Sequence, residues 1–333
     1  MMTGCAITDI ECYLPEKRVT NEDIRKEFPG WSPEVFEKTV GVKCRHESGQ
    51  GETAADMAMK AALKLFERFD KNKIDFTILC TQYPDYYKPT SACLLQNKLG
   101  LRNDTGAYDV NLGCSGYVYG LALAKGLIYG GIAEHVLLLT STCGSQYIHP
   151  KDRAKKSLFG DAASATVISK SDCNRIFEFE YGTDGNNRVL VIPNGAFRKR
   201  FDPEAAEFEY EPGSFTSDNH LQMDGHEVMN FTLIRVPPLI RAVLEKNGFT
   251  LDTISHFIFH QANPFILEHV RRRCRIPAER FFNDIVNTGN TSSTSIPLGL
   301  RSLMTCGKIM EGQKVLLAGF GVGLSWAATV IEM

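Results

Sequence analysis

The chain has 333 residues, 43% of them hydrophobic, with 37 basic against 39 acidic side chains, so it can bury a substantial core and its charge excludes wholesale binding to nucleic acid or a membrane surface. No apolar run reaches the roughly 18 residues of a membrane helix, and Asp9, Glu11, Glu16, Lys17 and Arg18 interrupt any secretory apolar stretch. Ten cysteines without a Cys-x-x-Cys pair suit reduced thiols better than a disulfide framework or zinc knuckle, so a cytoplasmic protein is expected.

In chain order the apolar periodicity predicts a helix over Thr53 to Phe69, a strand Phe76–Gln82, a helix Thr90 to Leu99, a strand Ala107–Asn111, a helix Tyr117–Tyr129, a strand from Val136 and a further strand Ala162–Ile168. The second half repeats the pattern. Phe257-Ile-Phe-His-Gln261 matches Phe76 to Gln82, and Val286-Asn-Thr-Gly-Asn290 lies over Val110-Asn-Leu-Gly-Cys114. Val315 to Ser325 answers Val136 to Ser145, with helices Pro264 to Cys274 and Ser293 to Met304 between and a strand Trp326–Ile331 after. The intervals Thr81–Cys114 and His260–Asn290 are alike in length, so two halves of similar topology are expected, 1–172 and 173–333. Strands alternating with helices give an α/β class with a mostly parallel sheet. Phe197 to Asn219, with its acidic run Asp202–Glu211, reads as a loop excursion.

Within this frame Asn111-Leu-Gly-Cys114-Ser-Gly-Tyr117 sets one cysteine between a strand and a helix. The first-turn N–H groups of that helix favour thiolate over thiol, and Gly113 and Gly116 admit a sharp turn and a close-approaching substrate. The other nine cysteines read as small buried hydrophobes. The repeat places His260 and Asn290 at strand ends matching that of Cys114, where an imidazole and a carboxamide can both donate to one carbonyl oxygen. The remaining histidines read as packed or surface residues, and Cys44-Arg-His46 lacks the further ligands of a zinc site. Gly319-x-Gly321-x-Gly323 is not a dinucleotide fingerprint, because its third glycine comes one residue early and a strand follows; a tight turn beside a substrate is expected. Asp161 is expected to brace a turn.

Gly-Cys114-Ser-Gly, Phe159-Gly-Asp161-Ala-Ala, Met223-Asp-Gly225, His260-Gln-Ala-Asn263, Gly289-Asn290-Thr-Ser-Ser and Gly319-Phe-Gly-Val-Gly323-Leu-Ser-Trp326, in this order, resemble the motifs of the β-ketoacyl-acyl-carrier-protein synthase III family of thiolase-fold condensing enzymes. The resemblance implies a duplicated, thiolase-like, five-layered α-β-α-β-α fold. It also implies that Cys114 accepts an acyl group from acyl-CoA and that His260 and Asn290 stabilise the enolate formed as malonyl-carrier protein loses carbon dioxide. That carbanion then attacks acyl-Cys114, giving a 3-oxoacyl-carrier protein that initiates fatty-acid synthesis. Backbone N–H groups of Cys114 and Val322 are implied as a second oxyanion site, with no metal and no cofactor beyond the substrates acyl-CoA and malonyl-carrier protein. By the same analogy Asn263 and Gly225 border the pantetheine arm, Arg153 contacts the nucleotide, Arg272 and Arg273 dock an acidic acyl carrier protein, and the enzyme is a homodimer. Without the resemblance, Arg271-Arg-Arg273 reads as a solvated charged face.

Several positions depart from the family. Val35 and Thr39 stand where a tryptophan and an arginine grip CoA, Phe265 replaces another nucleotide-contacting arginine, and Lys88 replaces an apolar residue beside the partner subunit's acyl pocket. These departures admit a relative that serves specialised metabolism with an unusual or carrier-bound acyl donor. A third reading, an inactive partner subunit, is opposed by the joint presence of Cys114, His260 and Asn290. A thiolase would need a second cysteine where Gly321-Val-Gly323 stands, and plant-type polyketide synthases are longer.

Overall fold

In the computed structural model residues 4–185 and 189–333 are described. Two five-stranded sheets dominate. The first contains β1 (Gly4–Tyr13), β2 (Phe76–Cys80), β3 (Gly106–Val110), β4 (His135–Thr142) and β5 (Ala162–Ser171). The second contains β6 (Ile176–Thr183), β7 (His256–Phe259), β8 (Phe281–Phe282), β9 (Lys314–Gly321) and β10 (Ser325–Glu332). Their orders are β1-β5-β4-β2-β3 and β6-β10-β9-β7-β8, so adding five to each number converts one sheet into the other. In each, three strands run parallel, β4-β2-β3 and β9-β7-β8, and two antiparallel strands complete the sheet. The principal helices follow the same rule: α1 (Ala54–Phe66), α2 (Ser91–Lys98) and α3 (Gly116–Tyr129) against α4 (Gly225–Lys246), α5 (Pro264–Arg273) and α6 (Ser295–Thr305).

Strand alternation sorts the apolar side chains into three cores. On β4, Leu137 and Leu139 face α1 and α2, while Val136 and Leu138 face inward; on β9, Val315 and Leu317 face inward while Leu316, Ala318 and Phe320 face α4 and α5. The inward sets of both sheets share one core with Val118 and Leu121 of α3 and Ile296 and Leu300 of α6. The result is five layers, with α3 and α6 as the middle one: a duplicated thiolase-like α/β fold.

Two segments differ from expectation. Residues 197–219 are not wholly a loop, because Phe208–Glu211 and Ser214–Thr216 pair as an antiparallel hairpin turned by Gly213 at φ +75°. It is anchored by Tyr210, whose hydroxyl donates to the buried Asp152 at 2.7 Å and whose ring lies under Lys155 Nζ at 3.8 Å. The helix α4, absent from the sequence reading, continues through Pro237 and Pro238. A proline inside a helix costs about 3 kcal/mol. Here Val236, Leu239, Ile240, Val243 and Leu244 are all buried against the second sheet, each contributing roughly 1.5–3 kcal/mol, and Asp224 caps the first turn by accepting from Glu227 N.

Candidate active site

The site forms where matching ends of the two sheets meet. Cys114 follows β3 and precedes α3; it is 7% exposed. From sequence alone the first turn of α3 is the expected source of its acidity. In the structure the groups acting on the sulfur come from the other half of the chain. Burial pushes the thiol up, but the charge and hydrogen bond of His260, the Val322 N–H and the Ser292 hydroxyl (3.7 Å from Sγ) together hold it below the ordinary cysteine range, at about 7. The contrast with the other thiols is sharp. Burial raises Cys5 to about 11 and Cys80, Cys143 and Cys274 to about 12, which fits the reading of these as inert packing residues, whereas Cys93, Cys173 and Cys306 are exposed and are not the buried hydrophobes expected.

Val322 reaches the sulfur because the strand end before it passes over Cys114 at close range. A Cβ on Gly321, which has φ +155°, would lie 2.7 Å from Cys114 Sγ, and one on Gly319 would lie 2.7 Å from Ser115 Cα. The glycine spacing thus records the approach of one backbone to another, as expected for a turn beside a substrate and not for a nucleotide loop.

His260, 2% exposed, continues β7 through its N–H to Ala318 O. Its Nδ1 lies 2.9 Å from Ser295 Oγ and 3.1 Å from the Ser292 carbonyl. The Ser295 hydroxyl donates to the Ser292 carbonyl at 2.8 Å, so both oxygens accept from Nδ1–H, and Nε2 faces the cavity as an acceptor in the neutral ring and as a donor in the protonated one. Ser292 is held at φ +50°, a conformation uncommon outside glycine, and from it presents its carbonyl to His260 and its hydroxyl to Cys114.

Asn290 is fixed by its backbone. Its N–H donates to Leu158 O at 2.9 Å and its carbonyl accepts from Gly160 N at 3.1 Å, a bridge between the halves. This explains the Phe159-Gly-Asp161 motif: a Cβ on Gly160 would lie 2.2 Å from Thr288 O, and the buried Asp161 carboxylate accepts from Ser48 N, Ser48 Oγ and Ser145 N. Asp161 braces the turn, as expected. The Asn290 carboxamide accepts from Ser292 N through Oδ1, and Nδ2 donates one hydrogen to Ala262 O, leaving the second for the cavity.

Two cavities meet at Cys114 and Asn290, of about 310 Å³ and about 70 Å³. The smaller runs between the first turns of α4 and α5 and is lined by Gly225, Asn263 and His260. Asn263 caps α5 by accepting from Ile266 N at 2.8 Å, which leaves its amide N–H₂ for a ligand. The structure therefore gathers Cys114, His260, Asn290, Val322, Asn263 and Gly225. Arg153, Lys88 and Phe265 line neither cavity: Arg153 faces Glu211 of the hairpin at 3.7 Å, Lys88 is exposed, and Phe265 is exposed against His269. Arg272 is exposed and paired with Glu268, while Arg273 is exposed with no ion-pair partner among the described residues. Ser292 and Ser295 are site residues to which sequence reasoning gave no role; Ser292 stood inside the Gly289-Asn290-Thr-Ser-Ser motif, and the hydroxyl-rich run 291–295 was the only signal for Ser295.

A reactive thiol facing an imidazole and a carboxamide across the seam of a duplicated fold defines the class as a thiolase-fold acyl-transferring enzyme. Models of 3-oxoacyl-[acyl-carrier-protein] synthase III and of its C-terminal region match residues 108–185 and 244–333. The β-ketoacyl-[acyl-carrier-protein] synthase III of Campylobacter fetus is 34% identical, covering 99% of both chains. A solved 3-oxoacyl-(acyl-carrier-protein) synthase III superposes with TM-score 0.96 at 42% identity, over 99% of this chain and 100% of that one. The 3-oxoacyl-(acyl-carrier protein) synthase of Burkholderia xenovorans does so at 0.91 and 35%, over 99% and 94%. The chain belongs to the 3-oxoacyl-acyl-carrier-protein synthase III family.

Proposed function

We propose that this chain joins an acyl-CoA to malonyl-acyl-carrier protein by decarboxylative Claisen condensation, initiating fatty-acid synthesis. The observation that carries this reading is the convergence of the low-pKa sulfur of Cys114, the His260 ring and the Asn290 amide on connected cavities. The Cys114 thiolate attacks the acyl-CoA carbonyl and the CoA thiolate leaves, taking a proton, so that acyl transfer and carbon–carbon bond formation become separate steps. N–H groups of Cys114 and Val322 hold the oxyanion. Malonyl-carrier protein then enters with its pantetheine arm along the smaller cavity past Asn263 and Gly225. Its C–CO₂⁻ bond breaks to release carbon dioxide, while Asn290 Nδ2 and His260 Nε2–H stabilise the enolate oxygen. The enolate carbon attacks the acyl carbonyl, Cys114 departs as thiolate, and 3-oxoacyl-carrier protein is released. No metal takes part.

Arg273, at the end of the helix that flanks the smaller cavity, is free to meet an acidic carrier protein beside Arg272. We place the enzyme in the cytoplasm, and no helix among the described residues is long and apolar enough to cross a membrane. A homodimer completes the reading, supported by the half-exposed edge strand β3; sedimentation at the monomer mass alone would remove it. Intact-protein mass spectrometry after incubation with acyl-CoAs tests the chemistry. One acyl group should appear on the wild type and none on Cys114→Ala, and acylation of that variant at the wild-type rate would defeat the proposal.

A further inference from the structure

Asn290 belongs to the limb 286–290 and hangs from a second limb, 157–161, through its backbone bonds to Leu158 and Gly160. The short strand Cys44–Glu47 is bonded to both limbs. Lys43, just before it, and Cys44 donate their N–H groups to Val286 O at 2.8 and 3.2 Å, and the His46 carbonyl accepts from Asp161 N at 2.8 Å. Between these points stands Arg45. A Cβ on Gly160 would lie 3.1 Å from Arg45 Cβ, and one on Gly289, the residue before Asn290, would lie 3.2 Å from it, so both glycines leave room for this one side chain.

The Arg45 guanidinium is wholly buried, and among the described residues no carboxylate touches it. Nη1 donates to Val19 O at 3.2 Å, and Nη2 donates to Asn21 Oδ1 at 2.7 Å and to Ser157 O at 2.5 Å, while Nε–H is left without an acceptor. Burial pulls its pKa down to about 10, which still keeps it charged at neutral pH. A buried charge without a counter-ion in contact is a poor source of stability, and an apolar side chain of similar volume generally fills a core as well or better. What the planar fork supplies instead is direction, because it ties three segments at angles that a point charge or an aliphatic chain cannot reproduce. The bond to Ser157 O matters most here, since the next carbonyl, that of Leu158, is the one that accepts from Asn290 N.

We propose that Arg45 is a positioning residue for the enolate-forming step: its fork sets the limbs 157–161 and 286–290 against each other so that the free Nδ2–H of Asn290 points into the cavity. This rests on the condensing reading above and adds to it a residue that touches no substrate. The acidity of Cys114 comes from His260, Val322 and Ser292, none of which Arg45 contacts, so acylation of the sulfur does not depend on it. Misplacing a reacting group by about 1 Å can cost about a hundredfold in rate.

The test follows two half-reactions on the full-length enzyme. The first is acyl transfer to Cys114, read by intact mass, from whichever of acetyl-, butyryl- and isobutyryl-CoA loads the wild type fastest; the second is single-turnover consumption of the isolated acyl-enzyme by malonyl-carrier protein. Arg45→Lys keeps the charge without the fork, and should slow the second about ten- to a hundredfold while the first stays within about threefold of the wild type. In an Asn290→Ala background the same change should slow the second by less than about threefold, because the group through which Arg45 acts is gone. Asn21→Ala, which removes one acceptor of the guanidinium, should show the same split and takes the place of Arg45→Lys in the cycle if circular dichroism finds that variant unfolded. Equal slowing of both half-reactions, a second half-reaction unchanged in both variants, an undiminished effect on top of Asn290→Ala, or loss of fold in both variants would overturn the positioning role while leaving the condensing reading intact. Condensation by Asn290→Ala at the wild-type rate, or no loading of the wild type from any of the three donors, would defeat that reading and this inference together.

Discussion

Cys114, His260 and Asn290 were legible in the sequence because each ends a strand-like run in one of two repeating halves, and a repeat tells which residues occupy equivalent places. Ser292 and Ser295 were not, since a run of small hydroxyl residues carries no periodicity to say which side chain turns toward a neighbouring imidazole. Nor were Gln82, Tyr83, Asn111 and Thr142, which line the larger cavity only after three separate segments have folded together. The dependence of Cys114 on His260 gives a residue-scale prediction. With its pKa lowered to about 7 by the imidazole, Val322 N–H and Ser292 hydroxyl against the opposing effect of burial, the thiolate fraction grows as pH rises. Alkylation of Cys114, followed on its own peptide, should increase about tenfold per pH unit well below 7 and level off above about 8. In His260→Ala burial acts with less opposition, so the inflection should move upward by more than a unit and the rate at pH 7 should drop about tenfold or more. An unmoved inflection would show that the imidazole is not what acidifies the sulfur.

Elements with a clean apolar period were read to within a few residues: α1, α2, α3, α5 and α6 all fall inside the predicted spans or extend past them by a residue. Two failures have physical causes. The pair Pro237-Pro238 signals a break, yet α4 runs through it because its buried face against the second sheet outweighs the lost backbone bond. The hairpin Phe208–Glu211 and Ser214–Thr216 hides in an acidic stretch whose charges look like those of a solvated loop. Its neutralisation is tertiary: Glu207 meets Lys151 and His149, and Glu211 faces Arg153. Local propensity could not foresee partners some fifty residues upstream.

At the scale of the whole molecule, duplication decides how the protein holds together. Neither half encloses a complete core, because α3 and α6 form one layer whose apolar residues pack simultaneously on the inward strands of both sheets. The reactive groups are divided the same way, with the sulfur on one side and the imidazole and carboxamide on the other. Asn290 is tied across the seam by the backbone bonds to Leu158 and Gly160. The halves should therefore unfold together. Leu300, fully buried on α6 in the shared layer, is the place to perturb that coupling, and Leu300→Ala should cost about 2–5 kcal/mol. In a Trp31→Phe background, fluorescence reports only Trp326 on β10, whereas far-ultraviolet circular dichroism reports the helices of both halves. In urea the two signals should trace one transition, and Leu300→Ala should shift both to the same lower midpoint. A dichroism curve that splits into two steps, with the Trp326 signal following only one, would show that each half is stable alone and that the middle layer is a contact between finished domains.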